Sequence, residues 1–341
     1  MGRVTLNDVS ARAGVSRATA SLVVRGSTRI SPATTERVRE AMAELGYVYD
    51  RRAAMLRGSK STTIGVIVPE IRNPFISDLI MAVEDVLHDG GFTVLIGHSH
   101  DQAEREVEIL STMVGLHVDG VLLHPAQDAT PEVVDRYTKS AGTPLVMVMR
   151  HLDGGYNYVG PDNHRAGLIL AEHLRSIGAR SVTLVGGPRT SSARRDRVAG
   201  LRAGLGDGID FDPGEETATA TNYTDVGERA MAHVFDQGRL AEVVVGYSDV
   251  VTMGMYAEIY RRGLTPGRDV AVASFDDIPM ASWLAPPLTS VATWSERVGR
   301  AAAELLLARI GDDTDEPQRV LLEPALRLRA STLAWGSRPR G

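Results

Sequence analysis

From Val4 to Arg25 the chain reads VTLNDVSARAGVSRATASLVVR, and this run constrains its own folding more tightly than any other. Thr5 is placed to cap a helix whose inward face is Leu6, Val9 and Ala13. Gly14 and Val15 make the turn, because glycine enters the left-handed conformation without the clash a Cβ brings. Ser16 then caps a second helix from Arg17 to about Val24, with Ala20 and Val23 or Val24 turned inward. Two short amphipathic helices at this spacing predict a helix-turn-helix, whose second helix enters the DNA major groove. A third helix starts at Ser31, with Pro32 in its first position, and runs to Leu45 before Gly46 stops it. It presents Val38, Ala41 or Met42, and Leu45 to the same core, so residues 1–47 read as a three-helix head. An ordinary helical hairpin in a larger core is the alternative, and charge separates the two.

The whole chain carries 37 basic and 43 acidic residues, a net charge of −6. Residues 1–61 hold eleven Lys and Arg against five acids, or +6, which leaves 26 against 38, or −12, for the remainder. A basic arm on an acidic body suits phosphate binding by the arm alone. There is no cysteine, which rules out disulfides and thiolate metal sites. The sequence shows neither a signal-peptide pattern nor an apolar run of membrane-spanning length, and the expectation is a cytoplasmic protein.

Residues 48–62 are short, basic and poorly apolar, ending in Gly58-Ser59-Lys60-Ser61. They read as a hinge in which Arg51 to Arg57 can form two turns of helix bearing Ala53 and Leu56. Beyond Thr62, apolar runs of strand length alternate with helical segments. The strands are expected at 64–68, 93–96, 121–124, 145–149, 182–185, 243–247 and 270–275. Helices are expected at 76–88, 104–114, 132–140, 165–177, 194–205, 225–235, 250–262 and 296–310. This alternation predicts an α/β body with parallel sheets covered by helices on both faces. The stretch from Met149 to Val159 has no crossover helix and divides the body into two halves. The tail, 336–341, is expected to fray.

Ligands of open parallel sheets bind beyond the carboxyl ends of the strands. That rule selects Arg72 to Phe75, His98, His124, Met149-Arg150, Gly187-Pro188, Ser248-Asp249 and Asp276-Asp277. Enzyme signatures fail in detail. Gly246-Tyr247-Ser248-Asp249-Val250 imitates a nucleophile elbow but ends in valine instead of glycine. No dinucleotide fingerprint follows a strand, Lys60 and Lys139 are the only lysines, and neither lies in a phosphate loop. The nine histidines show no metal-ligand spacing beyond the weak pair His98 and His100. No catalysis, metal or cofactor is expected.

The chain resembles the lactose-repressor (LacI/GalR) family of bacterial transcription regulators. The matching residues are Val4-Thr5-Leu6, Asp8-Val9, Ala13 to Ser16, Thr19, Ser21, Ile30-Ser31, Thr34-Thr35, Arg37-Val38 and Leu45-Gly46-Tyr47, with a thinner likeness along nearly the whole chain. The resemblance implies an all-α helix-turn-helix head and a body, 63–335, of two subdomains with a periplasmic-binding-protein-like fold. Subdomain 1 would comprise about 63–160 and 291–321, and subdomain 2 about 161–290 and 322–335, with crossings near Gly160, Ser290 and Leu322. The sequence carries no C-terminal leucine-heptad helix of the kind that makes tetramers in some members, so a homodimer is expected.

By the same resemblance, Arg17 and Ala18 open the recognition helix, and Arg17 can donate twice to a guanine. Leu22 is suited to a thymine methyl. Thr5, Ser16, Thr19, Ser21 and Arg25 are expected to hold phosphates or set register, and Tyr47 is a further expected DNA-binding residue. Leu56 matches the residue that wedges between central base pairs. In the body, Asn73 and Phe75 match the segment at the cleft mouth. Arg197 matches the effector-clamping arginine, whose planar fork spans two hydroxyls or a carboxylate. Ser248-Asp249 fall on the family's Asn-Asp motif, although Asp249 opens a helix and would cap it in any case. Asp276 falls on the cleft aspartate, and Tyr223 aligns loosely with a lid aromatic.

Met149 stands where many sugar-responsive members have aspartate, which argues against transferring any particular sugar; His124 is a compensating donor or a structural core histidine. The expected function is a sequence-specific, DNA-binding repressor of carbohydrate-related genes. It would bind a pseudo-palindromic operator and be relieved by a sugar in the cleft. The alternatives are a co-repressor-dependent regulator of non-sugar metabolism and a solute-binding protein of a transport system. A transport protein would lack the basic head, and a purely architectural DNA binder would not need the body.

Overall fold

A computed structural model describes residues 4–24, 26–48, 61–214, 224–311 and 316–336. The readings for Arg25, Leu56, Tyr223, most of the hinge and the tail beyond Gly336 lie outside the described residues. The chain separates into two compact units, Met1–Ser61 and Thr62–Gly341.

In the first unit the caps act where their residue types place them. Helix α1 spans Leu6–Ala13, and the Thr5 hydroxyl accepts from the Asp8 N–H while the Asp8 carboxylate accepts from the Thr5 N–H at 2.8 Å. Gly14 closes α1 at φ 65°. The Ser16 hydroxyl accepts from the Thr19 N–H at 3.1 Å and opens α2, Arg17–Val24. Ser31 does the same for α3, Pro32–Leu45. Val9, Ala13, Ala20, Val23, Val38 and Ala41 form the small core, with Leu6, Ile30, Leu45 and Tyr47 packed around it.

The second unit contains two six-stranded sheets. One runs β11-β5-β4-β3-β1-β2, all parallel, from β1 (Thr63–Val68), β2 (Thr93–His98), β3 (Gly120–Leu123), β4 (Leu145–Val148), β5 (Asn157–Pro161) and β11 (Arg319–Leu322). The other runs β12-β10-β9-β8-β6-β7, from β6 (Ser181–Val185), β7 (Asp210–Asp212), β8 (Val243–Gly246), β9 (Ala271–Asp276), β10 (Thr289–Ala292) and β12 (Ala325–Arg327). Only β12 in it is antiparallel. The helix-free link after β4 stays inside the first lobe, because β5 pairs in parallel with β4. The chain leaves that lobe after Pro161, returns after Ala292 and leaves again after Leu322.

Five strands (β5, β7, β10, β11 and β12) are absent from the sequence-based assignment. Their sequences explain this: β5 contains Gly160 and Pro161, β7 is Asp-Phe-Asp, and β10 begins Thr289-Ser290. None offers the unbroken apolar run that marks a buried parallel strand.

Glycines let the helices of the second lobe approach closely. Helix α7 (Asn163–Ser176) lies against α8 (Ser192–Leu205). A Cβ on Gly200 would stand 2.0 Å from the His164 carbonyl oxygen, and one on Gly167 would stand 2.4 Å from the Arg197 carbonyl oxygen. This contact fixes the helix that carries Arg197. Gly200→Ala is therefore expected to force the pair apart and destabilise the full chain by about 1–3 kcal/mol. Chemical denaturation measures this, and an unchanged unfolding midpoint would contradict the close-contact account.

Candidate functional site

Between the two lobes lies a cleft. Its first wall is built beyond the carboxyl ends of β1 to β4, from Pro69, Glu70, Asn73, Phe75, Ile76, Asp101, His124, Met149 and Arg150. The opposite wall comes from α8 and the ends of β8 and β9, and presents Ala193, Arg197, Tyr247, Ser248 and Asp276.

Arg197 is 3% exposed and uses every nitrogen of its fork. Nε donates to Asn163 Oδ1 at 2.9 Å, Nη1 to the Tyr247 carbonyl at 2.6 Å, and Nη2 to Asp276 Oδ1 at 3.5 Å. The rings of Phe275 and Tyr247 lie 4.6 Å and 5.2 Å from the guanidinium carbon. Asp276, the last residue of β9, sits at φ 111°, and its carboxylate meets the arginine. Burial raises the Asp276 pKa, and Arg197 and Thr293 oppose that rise.

On the first wall a second arginine is also held by an acid. Arg150 donates from Nη1 and Nη2 to the two carboxylate oxygens of Asp101, at 2.5 Å and 3.2 Å. Burial opposes its charge, yet the Asp101 carboxylate leaves the net pKa raised. His124 lies in the floor with neither ring nitrogen partnered by a protein group. Burial, then the Arg150 charge, lowers its pKa well below the ordinary histidine value, so the ring is neutral. The lobes meet at the edge of the cleft, where the His151 N–H donates to the Ser192 hydroxyl at 2.9 Å.

Asn73, Phe75, His124, Met149, Ser248 and Asp276, which the strand-end rule selects, thus share one cleft with Arg197, which the resemblance supplied. Asn73 also accepts the Phe75 N–H at 3.0 Å, and Ser248 caps helix α10, Asp249–Arg261. Met149 takes φ 63°, a left-handed turn that sends the chain back from the wall. Glu70, Asp101 and Tyr247 were not singled out by sequence reasoning. They flank expected positions by one to three residues, and only the folded loops reveal which neighbour turns inward.

In the head, Arg17 and Ala18 are exposed at the start of α2, next to exposed Ser16. Thr19, Ser21 and Leu22 are half-buried, and Tyr47 packs on the head core. Thr5 is exposed at the cap of α1. Arg17 and Ala18 therefore lie on the face of α2 that the core does not use.

Residues 5–50 match the family model described as bacterial regulatory proteins, lacI family, and residues 171–332 match a periplasmic binding protein-like domain. The transcriptional regulator CelR of Thermobifida fusca is 34% identical over 341 residues, covering 96% of this chain and 98% of its own. The chain belongs to the LacI family. It is a DNA-binding transcription regulator and not an enzyme. A solved CelR–cellobiose complex is 30% identical with a TM-score of 0.69, covering 96% of this chain and all of that one. The lac repressor dimer bound to operator and the anti-inducer ONPF shares the fold at a TM-score of 0.83 and 24% identity, covering 97% and 100%. Among the described residues of this LacI-family regulator, no helix is long and apolar enough to cross a membrane and no acid or histidine cluster could hold a metal.

One site expectation requires correction. Asp249 of the regulator is not on the cleft wall; it is fully buried behind it. Its Oδ2 accepts the Ile278 N–H at 2.9 Å and its Oδ1 accepts the Ser290 hydroxyl at 2.8 Å, so it ties α10 to the strand ends. Burial, then the nearby Asp276 charge, pushes its carboxyl up to about 8. A folded pKa above the unfolded one means that the folded state binds the proton more tightly. The resulting stability is present below the ordinary carboxylate range of about 4 and is lost as pH rises through the folded pKa. Asp249→Asn cannot ionise, so its melting temperature is expected to fall less than the wild type's between about pH 5 and about pH 9. Parallel melting curves for both chains would contradict the assignment.

Proposed function

We propose that the regulator is a dimeric, cytoplasmic repressor of carbohydrate-related genes. Each subunit reads half of a roughly palindromic operator, and a small polyhydroxyl ligand in the cleft, a sugar, lowers operator affinity. The observation that carries this reading is the Arg197–Asp276 pair, set on the wall of a cleft and flanked by the Phe275 and Tyr247 rings. A guanidinium beside a carboxylate offers hydroxyls a donor and a strong acceptor, and the apolar cleft residues Phe75, Met149 and Tyr247 suit the face of a sugar ring. The cellobiose in the CelR structure and the operator-bound lac repressor dimer support the ligand class and the assembly. The exposed start of α2 supports Arg17 and Ala18 as base-reading residues, with Ser16, Thr19 and Ser21 on the backbone.

Because the cleft has one wall on each lobe, a ligand that touches both favours one lobe arrangement. It shifts DNA affinity only by its differential affinity for the two arrangements. Arg197→Ala is expected to keep operator binding while losing the ligand response, and Arg197→Lys, which keeps the charge but not the fork, should lose most of it. Operator titrations with and without sugar test this. Release of operator by either variant at the wild-type sugar concentration would refute the cleft assignment. In the head, Arg17→Ala should cost about 1–3 kcal/mol on the operator and relax preference at one base pair. Unchanged preferences in a binding-site selection would remove Arg17 as a reader.

A further inference from the structure

The two cleft arginines have their charges matched within the protein: Arg150 by the two oxygens of Asp101, and Arg197 by Asp276. Each arginine thus has its counter-charge inside the protein, although the buried Arg150 Nε–H is left without a protein partner. One carboxylate on the cleft wall has an oxygen left over. Glu70 is 4% exposed; its Oε1 accepts the Arg72 N–H at 2.7 Å, while its buried Oε2 has no hydrogen-bond partner among the protein groups. The Arg72 side chain approaches Oε1 at 3.6 Å but is 77% exposed, so solvent screens it. On the same wall the neutral His124 ring leaves both nitrogens unpartnered, one a donor and the other an acceptor.

Two of the helix N-termini beside the cleft have an N–H taken by a side chain, Phe75 by Asn73 and Val251 by Ser248, whereas α8, whose Ala193 lines the cleft, has no side-chain cap. Buried polar atoms without partners are costly, and a ligand that completes them recovers that cost. Glu70 Oε2 can only accept, so the completing group must donate.

We infer that the cleft selects an uncharged ligand which donates a hydroxyl to Glu70 and shares His124, and that it rejects sugar acids and sugar phosphates. This inference rests on the polyhydroxyl reading of the cleft given above. A carboxylate or phosphate brought near Glu70 meets like charge in a partly desolvated site, whereas a hydroxyl meets an acceptor. Glu70 and His124 are thereby specificity-determining residues on the wall opposite Arg197.

The test uses the full chain and isothermal titration calorimetry with three matched sets: neutral mono- and disaccharides, their aldonates and uronates, and their phosphates. The expected result is that a neutral sugar binds and its anionic counterparts bind at least about 100-fold more weakly. Glu70→Gln, which keeps size and an acceptor but removes the charge, should cut that discrimination at least about tenfold. Melting curves establish that the variant is folded, and His124→Phe gives a second reading through weakened neutral-sugar binding. An anionic sugar that binds the wild type as tightly as its neutral parent overturns this inference and leaves the polyhydroxyl reading standing. Discrimination unchanged in Glu70→Gln overturns the role of Glu70. Binding of none of the three sets overturns both readings together.

Discussion

A guanidinium taken out of water must be matched on all sides, and Arg197 is the group around which the second lobe is organised. A buried charge is tolerated only with partners in good geometry. Three elements supply them: Asn163 from the start of α7, the Tyr247 carbonyl from the end of β8, and Asp276 from the end of β9. The arrangement is possible because α7 and α8 touch backbone to backbone at Gly167 and Gly200. A larger residue at either position would move Arg197 away from the strand ends that match it. The site is thus a product of helix packing as much as of its polar residues.

The first lobe repeats the scheme with different members. Arg150 and Asp101 come from the loops after β4 and β2, and Asp101 also accepts the Gln127 N–H at 3.0 Å. Behind them Glu106 accepts the Ala126 N–H, and burial pushes its carboxyl up to about 7. Each wall is therefore stiffened by its own ion pair. Stiff walls on two lobes joined by three crossings give a ligand something to bridge, and that is the physical basis for coupling occupancy to lobe arrangement.

Much of this was legible in the sequence, and the reasons differ by element. The caps Thr5, Ser31, Gly14 and Gly46 follow from local chemistry that no tertiary contact needs to decide. The central strands of both sheets announce themselves as apolar runs. Strands β7, β10 and β11 do not, because β7 and β11 are only partly buried and β10 buries small polar residues that hydrogen-bond instead. In the site, Arg197 and Asp276 were readable from motif and strand-end position. Asp249 was not, since the same pattern serves an acid turned toward a ligand and one turned toward Ile278 and Ser290. Glu70 carries no sequence signal; its significance comes from an oxygen that folding leaves buried and unpaired.

The central claim is that one ligand is held between Arg197 and Asp276 on one side and Glu70 and His124 on the other. A crystal structure of the full chain with a neutral sugar that binds in solution tests it most directly. The account predicts sugar hydroxyls within hydrogen-bonding distance of Asp276 or Arg197 and, simultaneously, of Glu70 Oε2 and a His124 nitrogen. Sugar density that touches only one wall, or that lies outside the cleft, would contradict it.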